Sequence, residues 1–153
     1  MKRLTALLLA LITVSAFLLP ALAANIAPDA LEYTEADVSL LARLITAEAE
    51  NQPYEGQLAV GNVVLNRVAS GIKYFGRGLR GVIYRKNQFT APKKYYTESA
   101  YLAAVAALNG ERAVPEYVHY FQRADKAYFY GRRWGRIGAH TFYGNQSKES
   151  SYD

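Results

Sequence analysis

The chain has 153 residues with 18 basic and 13 acidic side chains, two histidines and no cysteine. Without cysteine, disulfides, thiolate metal sites, cysteine nucleophiles and a cysteine-linked lipid anchor are all excluded. Only His119 and His140 could offer imidazole, no HExxH or His-x-x-x-His spacing is present, and so no metal or other cofactor is expected.

Residues 1–23 read as a signal peptide. Lys2 and Arg3 form a basic start, Leu4 to Leu19 is an almost unbroken apolar run of 16 residues, and Pro20-Ala21-Leu22-Ala23 ends in the small-x-small pattern cut by signal peptidase. The run is shorter than the roughly 18 residues of a spanning helix, so no stable membrane insertion is expected after cleavage, with an uncleaved N-terminal anchor as the alternative. Removing Lys2 and Arg3 with it leaves 16 basic against 13 acidic residues, a formal +3. That suits an anionic surface such as a cell wall and is weak for a nucleic-acid binder, which is not expected. The remaining 130 residues suffice for one domain with one hydrophobic core.

Residues 24–33 lack periodicity and read as a leader to a domain over 34–144. Thr34-Glu35-Ala36-Asp37 fits a capping box, predicting a first helix from Glu35 to about Glu48. Pro53 suits the first residue of a second helix, with Leu58, Gly61, Val64, Leu65 and Val68 at helical spacing until Gly71 offers a cap. Ser70 to Lys94 is glycine-rich and basic, which predicts a loop with Val82-Ile83-Tyr84 as its one extended stretch. Gly76-Arg77-Gly78-Leu79-Arg80-Gly81 has the letters of a phosphate-binding turn, but neither a strand before it nor a helix after it is expected. A third helix should run from an N-cap at Thr97 to Asn109-Gly110. After Pro115 three aromatic runs, at 117–121, 127–130 and 140–143, predict a small antiparallel unit, and residues 145–153 form a polar tail. The fold class is α+β, helices first and strands last.

Of the twenty aromatic residues (13 Tyr, 6 Phe and 1 Trp), sixteen fall between Tyr74 and Tyr143. Tyrosine, with its polar tip, suits either a cleft wall that stacks on sugar faces or a β-core.

Glu48 stands out because seven residues beyond Leu41 it returns to within roughly 20° of the same helical face. A carboxyl group held against apolar neighbours is the usual setting of a general acid, whereas the helix end would give it an ordinary exposed role. Glu50 points the other way and belongs in water. Glu55 and Glu98 fit first-turn positions that favour the helix dipole, and Asp125 a turn. One well-placed acid without an evident partner fits glycosidic cleavage of a particular kind. The acid protonates the bridging oxygen, then as carboxylate helps the sugar's own 6-hydroxyl attack the anomeric carbon.

Four ordered blocks resemble the spore cortex-lytic, SleB/CwlJ-type cell wall hydrolases. They are Leu41 to Glu50, Pro53 to Val68, Gly81-Val82-Ile83-Tyr84 with Gln88-Phe89-Thr90, and Arg136 to Phe142. The resemblance implies a single lysozyme-like domain and a secreted or wall-located enzyme. It further implies cleavage of peptidoglycan glycan strands between N-acetylmuramic acid and N-acetylglucosamine as a lytic transglycosylase, with Glu48 as acid and base. It points to Gln88, Phe89, Tyr120 and His140 as substrate-binding residues, and names no accessory partner. Asn66 and Arg67 match the family's LNRV element, and on an otherwise apolar helix they read as polar ties between loops. A lysozyme-type hydrolase using water, or a non-catalytic glycan-binding module, are the alternatives.

Overall fold

The computed structural model describes residues 33–126 and 131–144. The expected signal peptide, most of the leader, the aromatic run at 127–130 and the polar tail lie outside the described residues. Among those described, no helix is long and apolar enough to cross a membrane.

Helix α1, Glu35–Ala49, starts as the capping box predicts: the Thr34 hydroxyl accepts from the Asp37 amide, and the Asp37 carboxylate accepts from the Thr34 amide. Such a cap is worth about 1 kcal/mol. Leu41, Leu44 and Ile45 form its fully buried stripe. Helix α2, Tyr54–Ala69, follows a four-residue turn with Pro53 as its N-cap, and Gly71 after it takes φ +63°. Helix α4, Glu98–Leu108, is capped by the Thr97 hydroxyl and stopped by Gly110 at φ +90°.

The α1, α2 and α4 packing depends on small residues. A Cβ at Gly61 would stand 3.2 Å from Ala107 Cβ and 3.3 Å from Ile45 Cδ1, so a side chain there would wedge the three helices apart. Ala100, Ala103, Ala104 and Ala107 complete the seam and are all buried.

Two expectations fail. The Val82-Ile83-Tyr84 stretch is not extended: Val82 and Ile83 close a short helix α3, Gly78–Ile83, and Tyr84 caps it. Leu79, Val82 and Ile83 sit at i, i+3 and i+4, which a helical turn brings onto one buried face. The glycine-rich motif therefore does run into a helix, though one of only six residues. The sheet contains β1 (Val118–Arg123), β2 (Arg132–Ile137) and β3 (His140–Gly144), antiparallel in the order β1-β3-β2. Strand β2 was not expected, because Arg132-Arg133-Trp134-Gly135-Arg136 has no alternation. It is a strand because β3, buried along its whole length, offers it an edge.

The central strand faces the second part of the core, where Phe142 and Ile137 pack with Ala59, Val63, Val114 and Val118. The α1–α2 turn is fastened to the β2–β3 turn: Gln52 Oε1 accepts from the Ala139 amide at 2.8 Å. Gly138 permits this approach. It has φ +56°, and a Cβ there would lie 2.5 Å from Gln52 Oε1.

Candidate active site

Three side chains in the second half of α1, with Glu50 as its C-cap, lash down the segment that follows α3. Arg43 Nε donates to the Lys93 carbonyl at 2.5 Å, and the Arg43 carbonyl accepts from the Lys93 amide. The Thr46 hydroxyl accepts from the Thr97 amide. Glu48 Oε1 accepts from the Thr90 amide at 2.5 Å. Glu50, expected in water, instead receives the Lys93 ammonium at 2.5 Å and the Tyr95 hydroxyl at 3.1 Å, and the ammonium holds its carboxyl below the usual range.

Glu48 is half-buried at the edge of the apolar stripe, not sealed in it. It opens into a groove lobe of about 400 Å³ lined also by Arg67, Asn87, Gln88, Phe89, Thr90, Phe121, Gln122, Arg123 and His140. A second lobe of about 420 Å³ shares Arg67, Asn87, Gln88, Phe121 and Gln122 with the first and extends to Tyr74 and Tyr120. Each is of a size that holds a small-molecule ligand. Among the described residues lining the two lobes, Glu48 is the one carboxylate.

The five residues singled out in the sequence thus line two lobes that share part of their walls. Gln88 lies in both lobes, Phe89 and His140 in the lobe of Glu48, and Tyr120 in the other. His140 packs on Phe121 with ring centroids 5.1 Å apart, and its Nδ1 has no hydrogen-bond partner among the described residues. Burial pushes its imidazole below the usual range, and nearby Arg123 adds to the effect, so it is neutral near pH 7. The aromatic wall is narrower than expected. Tyr74, Phe89, Tyr120 and Phe121 line the groove, whereas Phe75 and Phe142 are core and Tyr84, Tyr95, Tyr96, Tyr117 and Trp134 lie on the surface outside it.

Asn66 does tie loops together. Its Nδ2 donates to the carbonyls of Pro115 and Val118, and its Oδ1 accepts from Arg112. Arg67 also binds the His119 carbonyl, at 2.7 Å, but it reaches the groove as well, so a structural role does not exhaust it. A separate concavity of about 460 Å³ contains Glu116 and His119, but its Asn66 and Arg112 are spent on each other. Glu55 and Glu98 sit in first turns, and Asp125 pairs with Arg123 at 3.1 Å, so all three acids have the structural places expected of them.

The sequence reading missed Asn87, Phe121, Gln122 and Arg123 as groove residues. Phe121 and Arg123 alternate with Tyr120 and Gln122 along β1, but both sets reach the groove because it opens beside this edge strand.

Residues 51–143 match the family model described as Cell Wall Hydrolase, a match that begins just after Glu48. The chain is 36% identical over 118 residues to a spore cortex-lytic enzyme of Bacillus subtilis, covering 72% of this chain and 38% of the relative. It therefore spans well under half the length of that protein. A cell wall hydrolase CwlJ of Halalkalibacterium halodurans is 36% identical over 130 residues, covering 76% of this chain and 90% of the relative. The fold resembles the crystal structure of the catalytic domain of the Bacillus cereus SleB protein, with TM-score 0.65 and 29% identity over 72% of this chain and 91% of that one. The catalytic domain of a germination-specific lytic transglycosylase SleB from Bacillus anthracis is similar at TM-score 0.64 and 29% identity, over 72% of this chain and 95% of that one.

Proposed function

The chain belongs to the cell wall hydrolase family, and on that premise we propose that it is a peptidoglycan lytic transglycosylase that uses Glu48 as its only acid and base. The observation that carries this reading is a single carboxylate among the described residues lining a two-lobed groove. A water-using glycosidase ordinarily places a second carboxylate across the scissile bond, and the described lining provides none. The name of the Bacillus anthracis relative, a lytic transglycosylase, supports the same reaction type.

In the proposed reaction protonated Glu48 gives its proton to the oxygen joining C1 of N-acetylmuramic acid to C4 of N-acetylglucosamine. The C1–O bond breaks, its electron pair stays with the leaving oxygen, and positive charge develops at C1. The Glu48 carboxylate then takes the proton of the muramic 6-hydroxyl as that oxygen bonds to C1. The acid is regenerated, and one product carries a 1,6-anhydro ring. No water is consumed.

In support of Glu48 in this role, one carboxyl oxygen is held by Thr90 while the groove lies open beside it. Phe89, Tyr120 and Phe121 offer ring faces to sugars, and Gln88 and His140 offer polar atoms for hydroxyl and acetamido groups. The reading needs no metal or organic cofactor. A wall substrate requires export, which the signal-peptide pattern of residues 1–23 fits.

Mass spectrometry of fragments released from purified sacculi in ¹⁸O-labelled water tests the reaction type. Unlabelled anhydro ends are expected. Labelled reducing ends would make the protein a lysozyme-type hydrolase, and binding without fragments a glycan-binding module.

A further inference from the structure

Arg67 is 4% exposed, yet among the described residues no carboxylate lies within ion-pair distance of its guanidinium. A buried cation is costly to keep charged, and Glu48, beyond ion-pair distance, favours the charged form only through space. Burial lowers its pKa to about 10, so it remains charged at neutral pH. Three rings surround it: the carbon at its centre is 4.4 Å from the centroid of Phe89, 5.0 Å from Phe75 and 5.5 Å from Tyr120. Its Nε donates to the His119 carbonyl in β1, and its Nη1 donates to Gln88 Oε1 at 3.0 Å.

Two consecutive residues, Gln88 by its amide and Phe89 by its ring, are therefore gripped by one guanidinium. The next residue is Thr90, whose amide holds Glu48. We propose that Arg67 is a positioning residue for Glu48, acting through the segment Gln88-Phe89-Thr90 to hold the carboxyl group in its reactive orientation. The proposal rests on Glu48 being the proton donor, but the grip itself can be measured without activity. A lysine at position 67 would keep the charge and lose both the planar face and the fork of N–H donors. A polar tie serving the fold alone would not single out the Thr90 amide.

The test combines amide hydrogen exchange at Thr90, followed by NMR, with steady-state kinetics on soluble glycan strands. Arg67→Lys and Gln88→Met should each speed exchange at Thr90 by about 10-fold or more relative to the α4 amides. Gln88→Glu, which keeps an acceptor for Nη1, should preserve Thr90 protection. Arg67→Lys should lower kcat roughly 10- to 100-fold, the scale expected of a misplaced catalytic group, and leave KM within about twofold. Unchanged Thr90 exchange in both loss variants would overturn the proposal, as would a raised KM at constant kcat, which would mark Arg67 as a substrate ligand. If Arg67→Lys fails to fold, the two Gln88 variants decide by exchange alone. An active Glu48→Gln variant would remove the assigned acid while leaving the exchange result intact, so the two failures are distinguishable.

Discussion

The Thr90 amide donates to Glu48 Oε1 at 2.5 Å across 42 positions of sequence, joining the last turn of α1 to the segment after α3. The bond lies on the groove, so the same contact that closes the fold at this point also fixes the orientation of the proposed acid. Glu48 is one of four side chains from α1 and its C-cap that fasten residues 90–97, and it alone also lines the groove.

Asn62 is fully buried in α2 and satisfies three backbone groups of the loop before β1. Its Oδ1 accepts from the amides of Ala113 and Val114, and its Nδ2 donates to the Glu111 carbonyl. Asn62→Leu keeps the volume but orphans these groups, each at roughly 1–3 kcal/mol when buried. Denaturant unfolding should show a loss of about 3 kcal/mol, allowing for the exposure of Glu111 and the partial exposure of Ala113. A loss below about 0.5 kcal/mol would mean that the loop is held by other means.

Gly138→Ala should destabilise the domain and weaken activity together. The residue sits at φ +56°, and an added Cβ would press on Gln52 Oε1 and, at 2.9 Å, on Pro53 Cδ. The backbone strain alone costs about 1–3 kcal/mol. Moving the turn would also shift His140, two residues on, within the groove. Thermal unfolding and sacculus clearing measured on the same preparation check both effects.

The two histidines should make the fold sensitive to acid. Burial pushes the imidazoles of both His119 and His140 below their ordinary value of 6.5, with Arg67 and Arg123 respectively adding to the shift. Above the ordinary value both are neutral in folded and unfolded chains, so their contribution is complete. As the pH falls through that value, the unfolded chain takes up protons that the folded histidines refuse, and stability is lost until the folded imidazoles also titrate. Melting temperatures between about pH 7.5 and pH 5 should fall less steeply for the His119→Phe/His140→Phe double variant than for the parent. Parallel slopes would show that other groups carry the acid response.

Much of the helical framework was legible because its signals are local. Thr34 with Asp37, Thr97, and Gly110 mark boundaries through contacts within a few residues. Helix α3 was not, since Leu79, Val82 and Ile83 acquire meaning only against the core they cover. Strand β2 was illegible for the complementary reason: its arginines and Trp134 are exposed, and pairing with β3 makes it a strand. At the candidate site, the helical face led to Glu48, and the resemblance led to the other four groove residues. What sequence could not supply was the value of Arg67. A charge among apolar helical neighbours signals something unusual, but only the folded chain brings Phe75, Phe89 and Tyr120 around it.

Glu48 as the proton donor is tested by the rate at which Glu48→Gln releases soluble muropeptides from purified sacculi, compared with the parent protein at matched folding by circular dichroism. The amide can still accept from Thr90 but cannot deliver a proton, so release should fall by at least about 100-fold, the scale of general acid catalysis, with sacculus binding retained. Release within a few-fold of the parent would mean that the reaction's acid lies elsewhere.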